Sequence, residues 1–342
     1  MQTPPVRSQN PNQPYTVRLH FYGQNRQPAQ ILRQTPGAKG YWKNIKFLIG
    51  DAPGQCDYLV VFGSGHRLIH ENIDPCNTLF IASEPPAIKT YPTDYLSQFA
   101  HVICSDRNAK HQNLNHSQQG YPWFCGLVDH SIKLYDEYLA EANIRKTKLI
   151  SVACSNKCTK PGHRKRFEFV AKLKEAFGDE LDLFGNDQNF VPDKADAIRP
   201  YKYHIAIENS VAPDYWSEKL SDSYLEGAFP FYYGCPNLDD YFSSDSYQLI
   251  DIDDIEGSIR KIREVIQQDR YEKSTQALQQ AKLQVLNDYN LFNLISDHLH
   301  EVQFPPNRTP HTFQAYPGKF FRKGGVYKLK FRLKKLLGHY CK

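Results

Sequence analysis

Residues 204–234 combine charged side chains with element boundaries suited to binding an anionic nucleotide. The apolar run His204–Ile207 predicts a short, buried strand of the parallel type, and an amphipathic helix should begin just before Lys219. In open α/β sheets ligands bind at the carboxyl ends of strands, where a helix N-terminus offers amide groups to phosphate and a lysine adds positive charge. The residues expected to bind the nucleotide ligand are Glu208, Asn209, Tyr215, Ser217, Glu218 and Lys219. Lys219 would meet the diphosphate, while the carboxylates Glu208 and Glu218 would hold hydroxyl groups of the ligand and orient Lys219 or Arg166.

A second basic cluster lies at another predicted junction between a strand and a helix, in residues 155–173. The predicted helix carries three consecutive basic residues, Arg164, Lys165 and Arg166. Its buried face should hold Phe169, Val170 and Leu173. Cationic side chains at a strand–loop–helix junction again suit a phosphate, and the alternative is a basic helix face that only meets solvent.

The segment Thr78–Pro86 predicts a buried strand that stops abruptly at Glu84, because two prolines follow and stiffen the turn. A carboxylate held at the carboxyl end of a strand is a candidate general base, which would take the proton from an attacking hydroxyl group. The alternative is a glutamate in an ordinary surface turn. Glu84 is therefore the candidate catalytic residue.

Asp251 and Asp253 form a D-x-D pair, a pattern that binds divalent cations in some enzymes. Here the pair lies between a predicted strand and a predicted helix, where aspartate commonly serves as the helix N-cap. We therefore predict no metal site. Arg166 and Lys219 would neutralise a departing diphosphate in place of a metal ion, so that no cofactor is required.

Two series of alternating strands and helices must position these residues. The first series has predicted strands at Thr16–Phe21, Tyr58–Phe62, Thr78–Ala82 and His101–Cys104. The second has predicted strands at Lys148–Ala153, Leu181–Phe184, His204–Ile207, Phe229–Tyr233 and Gln248–Ile252. Helices are predicted at 131–143, 162–177, 255–268 and 271–300, and one more after Tyr215. The predicted organisation is a disordered leader at 1–14, α/β domains at 15–146 and 147–303, a proline-rich linker at 304–318 and a basic tail at 319–342.

The composition of the 342-residue chain excludes global disorder, since 40% of the residues are hydrophobic, and a net charge of +5 gives no general case for nucleic acid binding. Residues 319–342 hold nine Lys or Arg and no Asp or Glu. One helical face of this tail would carry Val326, Leu329, Leu333, Leu336 and Leu337. The alternation of Leu329, Phe331 and Leu333 would also suit a strand. A basic amphipathic segment predicts binding to an anionic membrane surface, with a tail packed on its own domain or an RNA-like charge patch as the alternatives.

Neither a signal peptide nor an apolar run long enough to span a bilayer is visible in the sequence. Together with the basic tail, this predicts an enzyme that lies peripherally on the cytoplasmic face of a membrane. A shortened chain is the alternative explanation for the missing N-terminal signal.

The segment Glu208–Gly234 resembles the signature of glycosyltransferase family 10, the α-1,3/4-fucosyltransferases. The parts E-N, Y-x-[ST]-E-K and G-x-x-P-[VIF]-Y-x-G of that signature correspond here to Glu208-Asn209, Tyr215–Lys219 and Gly227–Gly234. About thirty residues match in the right order. Members of this family that occur in eukaryotes usually carry an N-terminal signal anchor, so the resemblance is to the bacterial type.

The resemblance also implies roles for residues outside this segment. The family pattern S-N, a loop and R-x-x-[FLY]-[VY]-x-x-L implies that Arg166 contacts the diphosphate of the nucleotide sugar, while Arg164 takes that place if the register shifts by two. The family motif E-S-P corresponds to the E-P-P sequence at Glu84, a partial match that implies a role as general base.

By the same resemblance, the fold should be of the GT-B type, in which two Rossmann-like domains face a central cleft. The implied activity is an inverting transfer of L-fucose from GDP-fucose to a glycan hydroxyl, such as an α-1,3 linkage to an N-acetylglucosamine or glucose unit of a surface polysaccharide. The residues alone specify neither guanine nor fucose, so a GT-B transferase for another nucleotide sugar stays open. A carbohydrate- or membrane-binding protein without catalysis is the second alternative, favoured only by the E-P-P substitution.

Overall fold

A computed structural model describes residues 15–22, 27–65, 67–128, 131–142, 144–154, 161–185, 189–302 and 311–322, together with Leu329 and Leu333. The chain divides into two compact units, of which unit 1 consists of Met1–Gln119 with Phe292–Lys342 and unit 2 consists of Gly120–Leu291. The prediction placed the boundary after residue 146 and ended the second domain at 303. The structure instead begins unit 2 at Gly120 and returns the chain to unit 1 at Phe292.

Unit 1 contains a seven-stranded sheet with the order β2-β3-β1-β4-β6-β7-β8. Its strands, with the separate β5, are β1 Tyr15–Phe21, β2 Tyr41–Trp42, β3 Ile45–Ile49, β4 Tyr58–Phe62, β5 Ile69–Ile73, β6 Thr78–Ile81, β7 His101–Ile103 and β8 Leu114–Asn115. The helices of this part are α1 Pro28–Leu32 and α2 Thr93–Leu96. All neighbouring strands of the sheet are parallel except β2 and β3. The central strands β4 and β6 are buried along their whole length, as continuous apolar runs in a parallel sheet should be.

Unit 2 contains a five-stranded, fully parallel sheet with the order β12-β11-β13-β14-β15. Its strands, with the small β9–β10 pair, are β9 Leu127–Val128, β10 Ser131–Ile132, β11 Lys148–Ala153, β12 Leu181–Phe184, β13 Tyr201–Ile207, β14 Phe229–Tyr233 and β15 Gln248–Leu249. Its helices are α3 Tyr135–Ala140, α4 Pro161–Phe177, α5 Glu218–Leu225, α6 Ile255–Gln267, α7 Arg270–Lys273 and α8 Thr275–Leu286. The predicted buried face of α4, Phe169, Val170 and Leu173, is confirmed.

The chain then returns to unit 1 with α9 Leu291–Glu301, β16 His311–Ala315 and α10 Gly318–Arg322. Strand β16 pairs with β5 in antiparallel orientation, and Phe313 is fully buried in the core of unit 1. On α10, Phe321 is buried and packs edge-on against Tyr95 at 5.7 Å. Part of the predicted linker and the first residues of the predicted tail therefore belong to the globular unit, because their aromatic side chains complete its core.

Short 3-10 turns occur at Pro36–Ala38, Gly178–Glu180, Lys194–Ala197, Leu238–Asp240 and Ser244–Ser246. The predicted strands of both series are present, although β15 stops at Leu249 rather than Ile252. The predicted helix at 131–143 begins as strand β10 and becomes helical only at Tyr135. The predicted helix at 271–300 is divided into α7, α8 and α9.

Within the described residues, every helix is too short or too polar to cross a membrane. The predicted leader lies outside the described residues, as does most of the predicted tail. Leu329 and Leu333 are helical, lie four positions apart and are 60% and 51% exposed.

Two glycines of unit 2 allow a matched test of close packing where the chain enters this unit. Gly120 has φ +63°, and a Cβ there would lie 2.8 Å from the Leu291 Cα, whereas Gly178 has φ +53° and nothing within 4 Å. Gly178→Ala should lower the free energy of unfolding by about 1–2 kcal/mol for its left-handed backbone alone. Gly120→Ala should lower the free energy of unfolding by about 1–3 kcal/mol more than Gly178→Ala does, because the Leu291 Cα cannot move aside easily. Urea unfolding measures both, and equal losses would contradict this packing.

Candidate active site

The carboxyl end of strand β13 places Glu208 directly after the buried Ile207. The Glu208 amide donates to the Tyr233 carbonyl at 2.8 Å, so the parallel pairing of β13 with β14 continues through this residue. Ser217 then begins α5 in an extended conformation and accepts a hydrogen bond from the Lys219 amide, as an N-cap does. The predicted strand–loop–helix arrangement is therefore present.

Glu208 is the centre of a buried polar network, since only 1% of its surface is exposed. Its Oε1 accepts hydrogen bonds from the amide and the hydroxyl group of Ser217, both at 2.8 Å. Its Oε2 lies 2.8 Å from the same hydroxyl group and accepts from Lys219 Nζ at 3.1 Å. A buried carboxylate is tolerated when it is paired and hydrogen-bonded in this way. Glu208 consequently orients Ser217 and Lys219, rather than facing a ligand.

The Lys219 ammonium group has three acceptors for its three N–H groups. They are Ser217 Oγ at 3.0 Å, Glu208 Oε2 at 3.1 Å and Glu218 Oε1 at 3.2 Å. Burial alone would lower the pKa of Lys219, but the two glutamates raise it well above its usual value, so the side chain stays charged. Its side chain is 20% exposed. A phosphate can therefore bind Lys219 only by taking the place of one present partner.

Glu218 is the more accessible of the two carboxylates, with 13% of its side chain exposed. Burial would raise its pKa, but Lys219 and Lys194 outweigh that effect and lower it to about 2. Lys194 in turn forms an ion pair of 2.9 Å with the fully buried Asp222, one turn further along α5. Sequence reasoning did not identify Lys194, because its separation from α5 in the chain carries no motif.

Arg166 and Asn209 connect this network to helix α4. The Arg166 Nη1 donates to Asn209 Oδ1 at 2.7 Å, and Asn209 directly follows Glu208 in the chain. Arg166 is 7% exposed, while Arg164 is exposed to solvent. Of the two arginines considered, the structure therefore places Arg166 with the other predicted donor-binding residues.

The backbone amides at the start of α5 are already used. The Lys219 amide donates to Ser217 Oγ, and the Leu220 and Ser221 amides donate to the Ser217 carbonyl at 3.1 and 3.3 Å. The expectation that this helix N-terminus offers unused amides to a phosphate therefore needs correction, since the N-cap residue accepts from them. Positive charge at this end of the sheet comes from side chains instead.

Tyr215 is buried, and its ring packs edge-on against Tyr121 at 5.7 Å. Tyr232 lies beneath the same loop, with its hydroxyl group 3.5 Å from the Tyr215 carbonyl. Gly234 completes this packing, because a Cβ there would come within 2.5 Å of Glu208 Cγ. The aromatic residues of the predicted motif thus support the charged network from below.

In unit 1, Glu84 lies three residues beyond the end of β6 and is half-buried. A turn follows it, in which the Ile88 and Lys89 amides donate to the Pro85 carbonyl. The preceding Ser83 is held by the Tyr91 hydroxyl group, which lies 3.3 Å from its amide. The predicted turn after a buried strand is therefore present, and the role of Glu84 as a base stays a prediction.

The acidic segment after β15 caps α6. Asp254 accepts from the Gly257 amide at 3.0 Å, as the N-cap interpretation predicts, and Asp253 forms an exposed ion pair with Lys165 at 2.7 Å. Asp251 accepts from the Asp253 amide. Among the residues that the structure describes, acidic, histidine and cysteine side chains nowhere form a group of three that could hold a metal ion.

Comparisons with known proteins point to one family. Residues 143–282 match the C-terminal domain of glycosyltransferase family 10 (fucosyltransferase). A 4-galactosyl-N-acetylglucosaminide 3-alpha-L-fucosyltransferase 9 of Homo sapiens is 29% identical over 106 residues, which cover 30% of this chain and 28% of the relative. The GDP-fucose protein O-fucosyltransferase 3 of Xenopus laevis is 36% identical over 67 residues, which cover 19% of this chain and 14% of the relative. The matched segment is thus less than a third of the length of these relatives.

A solved structure of an alpha1,3-fucosyltransferase with GDP aligns with a TM-score of 0.49 and 15% identity, covering 84% of this chain and 96% of that chain. The family match contains Arg166, Asn209 and the whole Glu208–Lys219 network. Residues 143–282 are therefore similar to the C-terminal domain of glycosyltransferase family 10, the fucosyltransferases.

Proposed function

We propose that the protein is an inverting fucosyltransferase that moves L-fucose from GDP-fucose to a glycan hydroxyl group. The observation that carries this proposal is the contiguous chain of contacts from Arg166 through Asn209 and Glu208 to Lys219. It places two cations at the carboxyl end of a parallel sheet, where a nucleotide diphosphate binds in this class of fold. The match of residues 143–282 to a fucosyltransferase family model supports the choice of donor.

The donor diphosphate would bind by an exchange of partners at Lys219. Glu218 is the partner to be replaced, because it is the more exposed carboxylate, whereas Glu208 also holds Ser217. Phosphate oxygens then accept from Lys219 and Arg166 through charge-assisted hydrogen bonds. The released Glu218 can accept hydrogen bonds from donor hydroxyl groups, and Lys194 still favours its ionised form.

Transfer would proceed by a single displacement. The acceptor oxygen forms a bond to the anomeric carbon of fucose as the bond to the GDP oxygen breaks, and Glu84 takes the proton of the acceptor hydroxyl group. GDP leaves with its added negative charge neutralised by Arg166 and Lys219. The cationic site supports a reaction that requires no metal ion. We propose an α-1,3 linkage because a relative that matches this chain over 106 residues is a 3-alpha-L-fucosyltransferase.

We further propose that the basic tail holds the enzyme peripherally to the cytoplasmic face of an anionic membrane. Helix α10 belongs to the folded unit, so the membrane-binding segment begins after Arg322. The two exposed leucines, Leu329 and Leu333, would enter the interface while neighbouring basic residues meet lipid headgroups.

Arg166→Gln should weaken GDP binding about 10-fold or more, because a charge-assisted contact worth roughly 1.5–3 kcal/mol is lost. Isothermal titration calorimetry with GDP measures this directly. Arg164→Gln is the matched control, since it removes the same charge from an exposed position two residues away and should change the affinity less than 2-fold. The reverse pattern would move the diphosphate contact to Arg164. Lys219→Ala is a poorer test, because it leaves the buried Glu208 without its counter-charge.

Glu84→Gln should abolish transfer and leave GDP affinity unchanged, because the amide keeps the size of the side chain but cannot take a proton. Initial rates of fucose transfer, measured alongside GDP calorimetry on the same preparation, separate the two effects. A variant that retains more than about a tenth of the parent rate would exclude Glu84 as the base.

Deleting residues 324–342 should abolish sedimentation with vesicles of anionic lipid while GDP affinity stays that of the full chain. Binding by the full chain should fall steeply with added salt, because each basic residue near the surface contributes only about 1 kcal/mol and is screened. Leu329→Ala with Leu333→Ala is the second variant, which keeps every charge and should weaken binding by removing apolar contact. Sedimentation that survives the deletion would refute the membrane role of the tail.

A further inference from the structure

A polar cluster, in which Asp214 is buried and its two partners are partly exposed, fixes the loop that joins β13 to α5. Its members are Asp214, Asn237 and Tyr241, of which Asp214 belongs to the loop and the other two follow strand β14. Asp214 is buried, and its backbone is left-handed with φ +59°. Few residues other than glycine adopt this conformation at low cost, and aspartate is one of them.

Asp214 and Asn237 bind each other through both backbone and side chain. The Asp214 amide donates to Asn237 Oδ1 at 2.9 Å, and Asn237 Nδ2 donates back to Asp214 Oδ1 at 2.8 Å. The Tyr241 hydroxyl group donates to the same Oδ1 at 2.8 Å. Three hydrogen bonds therefore fix Asp214, in an otherwise irregular loop, to the segment that follows strand β14.

The position of this cluster in the chain connects it to the charged network. Ser217 follows Asp214 by three residues, and Ser217 supplies the amide and hydroxyl group that Glu208 accepts. Asn237 is fixed in turn, because its Nδ2 also donates to Asp240 Oδ2 at 2.9 Å and its Oδ1 accepts from Cys235 Sγ at 3.2 Å. The backbone conformation of Asp214 therefore determines the positions of Ser217 and Lys219.

We propose that Asp214 is a positioning residue, which holds the Tyr215–Lys219 segment in its ligand-binding geometry before the donor arrives. The inference rests on the proposed nucleotide-sugar transferase function. Asp214 would touch neither phosphate nor sugar. It acts through Asn237 and Tyr241. Because the loop is already ordered in the folded protein, donor binding loses no further conformational entropy there.

Asp214→Gly and Asp214→Asn together test the proposal. Glycine adopts the left-handed backbone but loses the side-chain bonds, so the loop should become mobile in the free enzyme. The KM for GDP-fucose should rise at least 10-fold, while kcat at saturating donor stays within 3-fold. Asparagine tolerates the same backbone and keeps an Oδ1 acceptor, so Asp214→Asn should restore both constants to within 3-fold of the parent.

Asp182→Gly is the matched control for a purely structural effect. Asp182 also accepts a hydrogen bond from a tyrosine hydroxyl group, that of Tyr201 at 2.6 Å. It lies near the amino ends of the strands, however, whereas the candidate site lies at their carboxyl ends. Loss of folded protein lowers the apparent kcat and leaves the KM of the remaining enzyme unchanged. A KM within 2-fold of the parent for Asp214→Gly, or an equal rise for Asp182→Gly, would overturn the proposal.

Hydrogen exchange separates this inference from the proposed function. In the absence of any ligand, peptides covering 214–219 should exchange at least 10-fold faster in Asp214→Gly than in the parent, and those of Asp182→Gly should not. If the parent protein neither binds GDP nor turns over the donor, the proposed function fails while this exchange still tests the role of Asp214. Unchanged exchange in Asp214→Gly would overturn the positioning role by itself.

Discussion

The ion pair between Glu208 and Lys219 is the interaction on which the rest of the site depends. A carboxylate with 1% exposure is stable there only because Lys219 and Ser217 satisfy it, and removing one member of such a pair costs about 3–5 kcal/mol. The pair fixes the start of α5 against the end of β13 and so determines where the positive charge lies. Gly234 cannot carry a side chain, since the space is filled by Tyr232 and Glu208.

The same interaction gives the two glutamates different tasks. Glu208 is enclosed by protein groups and holds Lys219 in place. Glu218 is the ion-pair partner of Lys219 that a phosphate would replace in the proposed function. Lys194, Asp222 and the Asp214 cluster hold α5 and its preceding loop from other directions. In the proposed function, the site is consequently formed before ligand binding, and a donor would displace one ion-pair partner rather than order a loop.

Much of this arrangement could be predicted from the sequence because it is local. Strands such as β4, β11 and β14 are apolar runs with the predicted bounds, and the residues from Glu208 to Lys219 are close in the chain. The return of β16 and Phe321 to unit 1 could not be predicted, since their partners are more than 200 residues away. The occupied amides of α5 were also missed, because the role of Ser217 as an N-cap that accepts from them was not predicted.

The central claim is that this charged network serves transfer of a sugar from GDP-fucose without a metal ion. Release of GDP from GDP-fucose, measured with and without a glycan acceptor and in excess EDTA, tests it most directly. The account predicts turnover that persists in EDTA and is much lower with nucleotide sugars that lack guanine or fucose. Equal or faster turnover of another nucleotide sugar, absence of turnover with tight GDP binding, or activity that returns only with a divalent cation would contradict it.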